Sequence, residues 1–267
     1  MANYMEELLD MPLRNVLSII QEGIMNQATY FGVGAQKSPM DAWVYQEIMY
    51  ETRPDVIIEI GTAYGGGTLF LAHLCDLLGK GRIIGLDFSH KNVPEDVKTH
   101  PRISFVEGDA CQNFEYIEKM ILKDDRVLII EDSSHTYDNT LNVLRLYSRL
   151  IKLGDYFIVE DSICHHGLVI GPNPGPYEAI ETFVTENKDF EIDRAREHFL
   201  ITWNPKGYLR RTALNNTQFY ATKPETISTS EKTTESSIRG TIKLLFHKLS
   251  KPMQNTPRLA AGSFTFL

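Results

Sequence analysis

Five short apolar runs set the frame of the chain: Val56–Ile60, Arg82–Leu86, Ile103–Glu107, Arg126–Ile130 and Tyr156–Val159. Each is too short for a globular helix and rich in β-branched or aromatic residues, so each predicts a buried parallel strand. Between them apolar residues return at helical spacing. Leu69 to Leu74 opens a helix that stops near Gly79, and Leu141, Leu144, Leu146, Tyr147, Leu150 and Ile151 line another that Gly154 ends. A helix is predicted over 177–187. Phe190–Ile192 and His198–Trp203 read as the last two strands, a hairpin on the sheet edge with Gly207-Tyr208-Leu209 in position to extend it. Strands alternating with helices predict an α/β fold: a Rossmann-like, doubly wound, mostly parallel seven-stranded sheet with an N-terminal helical extension.

That extension covers residues 1–52, a helical cap or lid. Residues 1–24 read as one helix, with Pro12 in its first turn and Leu13, Val16, Leu17, Ile20 and Ile24 at helical spacing. An aromatic and glycine loop follows at Thr29–Gly34. Ser38-Pro39-Met40-Asp41 then opens a second helix, with Ser38 as cap, Pro39 in the first turn and Asp41 adding negative charge at the N-terminus. The central domain spans 53–212. Residues 213–267 read as a flexible polar linker and a basic amphipathic tail. In that tail Ile238, Ile242, Leu245, Phe246 and Leu249 are flanked by Arg239, Lys243, Lys248 and Lys251. The pattern at 238–251 suits contact with an anionic membrane, docking on a protein or exposure to solvent.

Composition narrows the class. The chain has 267 residues, of which 42% are hydrophobic, enough to fill one large core. A net charge of -8 argues against nucleic acid as a partner. Three cysteines, Cys75, Cys111 and Cys164, lack paired spacing, as in a reducing compartment. No run reaches membrane-spanning length, and Glu6, Glu7 and Asp10 precede any apolar run, unlike a secretory signal. A cytoplasmic protein is expected, at the inner membrane face if the tail binds lipid, and a homo-oligomer.

The first strand runs into Gly61-Thr62-Ala63-Tyr64-Gly65-Gly66-Gly67-Thr68. Glycines there let the backbone turn tightly and approach a ligand, and the following helix aims its unpaired N–H groups at it. A P-loop needs Gly-Lys-Ser/Thr, which is missing, and Thr62-Ala63 break the dinucleotide fingerprint. Glu59, two residues before the first glycine, suits a cationic ligand such as S-adenosylmethionine, whose sulfonium and ammonium it would attract. Asp87, at the end of the second strand, is placed for a ribose diol. Asp109 follows the third strand where an adenine amino group needs an acceptor; Gly-Asp is also a common turn. The candidate cofactor contacts are Glu59, Gly61, Thr62, Tyr64, Gly65, Gly67, Asp87, Asp109 and Asp132.

The fourth and fifth strands end in acids: Asp132, and the pair Glu160-Asp161. If these two strands are neighbours in the sheet, their ends lie about 5 Å apart. Three carboxylates that close repel unless something positive sits between them. Oxygen donors of this kind favour a hard cation, Mg²⁺ or Mn²⁺. A substrate hydroxyl bound to the metal has its pKa lowered, and His135, three residues after Asp132, is placed to take the proton. His165 and His166 compete for that role. Cys164-His165-His166 also invites a zinc reading, which the lack of a second cysteine pair disfavours.

These stretches together resemble the cephalosporin hydroxylase/rhamnosyl O-methyltransferase family. The matching residues are Phe31-Gly32-Val33, Lys37 to Ile48, Ile58 to Thr62 with Gly65 to Thr68, Asp132-Ser133-Ser134-His135 and Ile158-Val159-Glu160-Asp161, over about residues 25–205. The resemblance implies S-adenosylmethionine-dependent O-methylation, with a metal at Asp132, Glu160 and Asp161. Magnesium-dependent macrolide-sugar O-methyltransferases are similar here, and their use of the histidine in the Asp-x-x-His segment implies His135 as the catalytic base. Family members often carry Asn-Gly after the Glu-Asp pair. This chain has Cys164-His165-His166-Gly167, in a loop expected to face the acceptor. The expected function is Mg²⁺-assisted methylation of a sugar hydroxyl on a glycan, glycolipid or glycosylated natural product. The alternatives are a nicotinamide-dependent sugar oxidoreductase, against which the broken glycine pattern and the absence of Tyr-x-x-x-Lys count, and a non-catalytic binding protein.

Overall fold

The structure is a computed structural model and describes residues 4–214. Of the predicted tail, residues 215–267, with the 238–251 segment, lie outside the described residues. In chain order the elements are α1 (Leu13–Gln27), β1 (Thr29–Tyr30), β2 (Val33–Gly34), α2 (Pro39–Thr52), β3 (Val56–Ile60), α3 (Gly66–Leu78), β4 (Arg82–Asp87), α4 (Glu95–Lys98) and β5 (Ile103–Glu107). There follow α5 (Ala110–Lys119), β6 (Val127–Glu131), α6 (Tyr137–Tyr147), β7 (Tyr156–Val159), α7 (Pro176–Glu186), β8 (Phe190–Ile192) and β9 (Tyr208–Arg211). Among the described residues no helix is long and apolar enough to cross a membrane.

Seven strands form one sheet in the order β5-β4-β3-β6-β7-β9-β8. β3 to β7 run parallel, whereas β9 is antiparallel to both of its neighbours. Strand order reverses between β3 and β6, the place where open α/β sheets bind ligands. Alternate residues of each strand serve opposite faces. Val56, Ile58, Ile60, Val127 and Ile129 pack under α5, α6 and α7. Ile57, Ile83, Leu128, Ile130 and Ile158 pack under α2, α3 and α4.

Two sequence expectations need correction. Residues 1–24 are not one helix: Met5–Glu7 make a single 3-10 turn, and α1 starts only after Pro12. Pro12 is extended, and a proline pushes the residue before it out of the helical region, so the helix cannot run through Met11-Pro12. The second correction is at the sheet edge. His198–Trp203 is not a strand; β9 takes its place, inserted between β7 and β8. The 198–203 backbone is used elsewhere: Trp203 N donates to Asp41 Oδ2 (2.8 Å), and Trp203 O accepts from Ile163 N (3.1 Å). Leu200 adopts a left-handed φ of 66°, which no regular strand allows. The loop at 29–34 is a small hairpin, β1–β2, turning at Phe31 and Gly32 with φ of 48° and 82°, both positive as a tight hairpin turn requires.

Gly61 marks the tightest approach in the sheet. Its φ is +93°, and a Cβ there would lie 2.0 Å from the carbonyl oxygen of Asp132. Gly61→Ala is expected to destabilise the fold by about 3 kcal/mol, combining left-handed strain with overpacking. Urea unfolding measures this; a loss under about 0.5 kcal/mol would show that β3 and β6 separate freely at this end.

Candidate active site

Register explains why three acids meet. Glu59 shares the face of Ile57, Asp132 that of Ile130 and Glu160 that of Ile158, so all three lie on the α2–α3 side of the sheet. The parallel ladder continues one step past the strands: Asp132 N donates to Ile60 O (2.8 Å), and Glu160 N to Glu131 O (2.9 Å). Side chains on adjacent strand ends are thus held at nearly the same height.

The positive group between them is Lys37. Its Nζ lies 2.6 Å from Asp132 Oδ2, 2.6 Å from Glu160 Oε1 and 3.7 Å from Glu59 Oε1. Sequence reasoning asked for a cation here and supplied only a metal; Lys37 entered as part of a matching stretch, without a role. The signal was its place directly before the Ser38-Pro39 helix start, which anchors it, but nothing local revealed that α2 begins over the ends of β6 and β7. Burial works against the Lys37 ammonium, yet Asp132, Glu160 and Glu59 outweigh it and hold its pKa well above the ordinary value. Burial, followed by the Asp132 charge, pushes Glu160 well up, with Lys37 opposing. Glu59 is raised by burial, countered by Lys37 and by Thr68, whose Oγ1 donates to Glu59 Oε2 at 2.5 Å.

Beside this cluster, Asp132, His135 and Asp161 each offer one ligand atom, all within 4.8 Å of one another. His135 Nε2 stands 3.9 Å from Asp132 Oδ1 and 3.4 Å from Asp161 Oδ2. His135 and Asp161 both adopt left-handed backbone, with φ of 56° and 55°. Such strain in non-glycine residues collects at functional sites. Asp161 N donates to Asn204 Oδ1 (3.3 Å), and Asn204 Nδ2 to Tyr45 OH (2.8 Å), so α2 and the 202–206 segment brace the acid. Burial raises the Asp161 carboxyl, and His135 opposes the shift. Two carboxylates and an imidazole at this spacing fit a divalent cation; Glu160, the third predicted ligand, is not brought into that group and instead pairs with Lys37.

The other base candidates point elsewhere. His165 Nε2 bonds to Gly171 O (3.0 Å), and His166 Nε2 to Glu178 Oε1 (2.7 Å) while its ring stacks on Tyr177 at 3.6 Å. Cys164 is buried, its thiol pushed up to about 12 by burial. Among the described residues Cys164, His165 and His166 do not come together as metal ligands.

The glycine turn lies against the same cluster through the Gly61–Asp132 contact. Gly65 caps α3 with φ +86°. At Gly66 a Cβ would meet the Gly34 carbonyl oxygen at 2.4 Å, so the β1–β2 hairpin closes over the turn, and the Tyr64 side chain also lies beside Gly34. Asp87 Oδ2 accepts from Thr62 N and Ala63 N, both at 3.0 Å. One oxygen of the predicted ribose carboxylate therefore shapes the turn, and Oδ1 has no hydrogen bond among the described residues. Asp109 caps α5 through Oδ1, accepting from Gln112 N at 2.9 Å. Glu131 faces away from the cluster, toward α6; it accepts from Ser133 Oγ (2.6 Å), and burial raises its pKa to about 7.

Residues 22–212 match the rhamnosyl O-methyltransferase/CmcI family. A rhamnosyl O-methyltransferase of Mycobacterium tuberculosis is 35% identical over 195 residues, covering 70% of this chain and 80% of the relative. One of Mycobacterium leprae is 34% identical over 195 residues, covering 70% and 85%. Among solved structures, a CmcI apo-structure aligns with a TM-score of 0.55 at 25% identity, over 70% of this chain and 77% of that one. A CmcI structure with Mg and SAM aligns with the same TM-score of 0.55 at 23% identity, again over 70% and 77%.

Proposed function

The chain belongs to the rhamnosyl O-methyltransferase/CmcI family, and from that premise we propose that it is an S-adenosylmethionine-dependent, Mg²⁺-assisted O-methyltransferase acting on a sugar hydroxyl. Family membership leaves no place for the nicotinamide alternative. The observation that carries the reading is the contact between Gly61 and the Asp132 carbonyl: it sets the glycine turn of a donor site against a cup of acids with an imidazole at its rim.

The turn, with Gly61, Thr62, Tyr64, Gly65 and Gly67, would hold the donor at the α3 N-terminus, where unpaired N–H groups collect. The free oxygen of Asp87 is available to a ribose diol. Glu59 and Asp132 put negative charge on the side of the sulfonium. Asp132, Glu160 and Asp161 would hold the metal. When bound, the cofactor supplies the methyl group, and the metal lowers the pKa of an acceptor hydroxyl. His135, whose ring stands at the rim beside Asp132 and Asp161, takes that hydroxyl's proton. The protein otherwise aligns the acceptor oxygen with the methyl group and excludes water. Residues 1–52 act as a cap: the β1–β2 hairpin already covers the turn.

Chelation tests the metal. EDTA-treated enzyme is expected to lose methyl transfer to nucleotide sugars or glycolipids, followed with labelled S-adenosylmethionine, and to regain it with Mg²⁺. Calorimetry is expected to find cofactor binding with or without metal. Full turnover after chelation would remove the metal from the mechanism.

A further inference from the structure

Lys37 connects the donor turn to the acid cup. Among the described residues it is the one lysine or arginine in ion-pair range of Glu59, Asp132 or Glu160. Its aliphatic stem runs past the turn: a Cβ at Gly67 would lie 2.7 Å from Lys37 Cε and 2.8 Å from Glu59 Oε1. The absence of a side chain at Gly67 is thus what admits the lysine.

The division of oxygens is specific. Lys37 Nζ takes Asp132 Oδ2 and Glu160 Oε1, each at 2.6 Å. Asp132 Oδ1 is left on the side of His135, whose Nε2 also faces Asp161 Oδ2 at 3.4 Å. Glu160 Oε2 makes no hydrogen bond among the described residues. Each acid therefore spends one oxygen on the lysine and keeps the other free. Groups bonded behind metal ligands fix ligand orientation, and their loss typically weakens metal binding about 10–100-fold.

We propose that Lys37 is a positioning residue for the cation site: its ammonium pins Asp132 through Oδ2, with Glu160 as the second anchor, so that Asp132 Oδ1 stays turned toward Asp161 and His135, the group able to hold one divalent ion. The inference rests on the proposed metal role of the cup. Without the ammonium the two carboxylates repel and turn apart, and the set of oxygens is lost. Plain charge arithmetic predicts the opposite: removing a positive group beside a cation site would tighten binding. The sign of the effect decides between an orienting and a competing lysine.

The experiment is a Mn²⁺ titration of the full chain without cofactor, with free Mn²⁺ read by electron paramagnetic resonance. Lys37→Met is expected to bind at least about tenfold more weakly than the native chain, and Lys37→Arg, which keeps the charge, to recover part of the loss. Circular dichroism and thermal melting confirm that each variant is folded; if Lys37→Met is not, Lys37→Gln carries the same expectation. Equal or tighter binding by the neutral variant overturns the proposal. Asp161→Asn separates the two readings. If the native chain binds Mn²⁺ and Asp161→Asn does not, the cup is a metal site whatever Lys37 does. If the native chain binds none, the metal reading falls and this inference with it.

Discussion

Asp132→Ala is expected to abolish methyl transfer, lowering kcat by about a thousandfold or more, equivalent to about 4 kcal/mol of transition-state stabilisation. Asp132 bonds Lys37 through Oδ2 and faces His135 through Oδ1. Its removal would deprive the proposed metal site of a ligand, leave Lys37 with Glu160 and Glu59, and take away a neighbour of the proposed base. The fold should survive, because the Asp132 backbone keeps its ladder bond to Ile60 and its side chain is not part of the apolar core. Labelled-methyl transfer beside a thermal melt tests this; turnover within threefold of the native rate would remove Asp132 from the chemistry.

His135→Ala is expected to cost about 10²–10⁴ in kcat, the range of a lost general base, with cofactor affinity unchanged. The imidazole stands at the rim of the acid cup, and the Asp87 contacts that shape the turn are made by other residues. An equal loss in cofactor affinity would mean that His135 supports the donor site instead. Unchanged turnover would reassign the base, although the partners of His165 and His166 hold those rings on Gly171 and Glu178.

Much of the site was legible because parallel strands carry periodic information. The five apolar runs became β3 to β7, and an acid two positions beyond the last inward Ile of β6 or β7 had to emerge on that Ile's face. Asp132 and Glu160 were therefore readable as acids at two strand ends; that the two strands are neighbours came from the structure. Lys37 was not, since it comes from a segment outside the sheet and reaches the acids only through the placement of α2. Asp87 and Asp109 show a different limit. Asp87 ends a predicted strand and Asp109 follows one, yet each spends an oxygen on backbone N–H groups, Asp87 on the glycine turn 25 residues earlier and Asp109 on its own helix, and no pattern tells a ligand acceptor from such a partner until the geometry is known. The edge hairpin failed for a related reason. His198–Trp203 has strand-like composition, but Leu200 N donates back to Glu197 O in a turn, and the Trp203 end bonds Asp41 and Ile163, partners distant in sequence.

By itself the amino-acid order determined the parallel sheet, the glycine turn and the acids at the strand ends, because short-range periodicity and backbone sterics dictate them. The tertiary structure alone decided that a lysine from before α2 neutralises those acids, that one histidine of three reaches them, and which segment completes the sheet edge. Those outcomes depend on long-range packing and on where buried charge finds a partner, and neither is written in any local stretch of the chain.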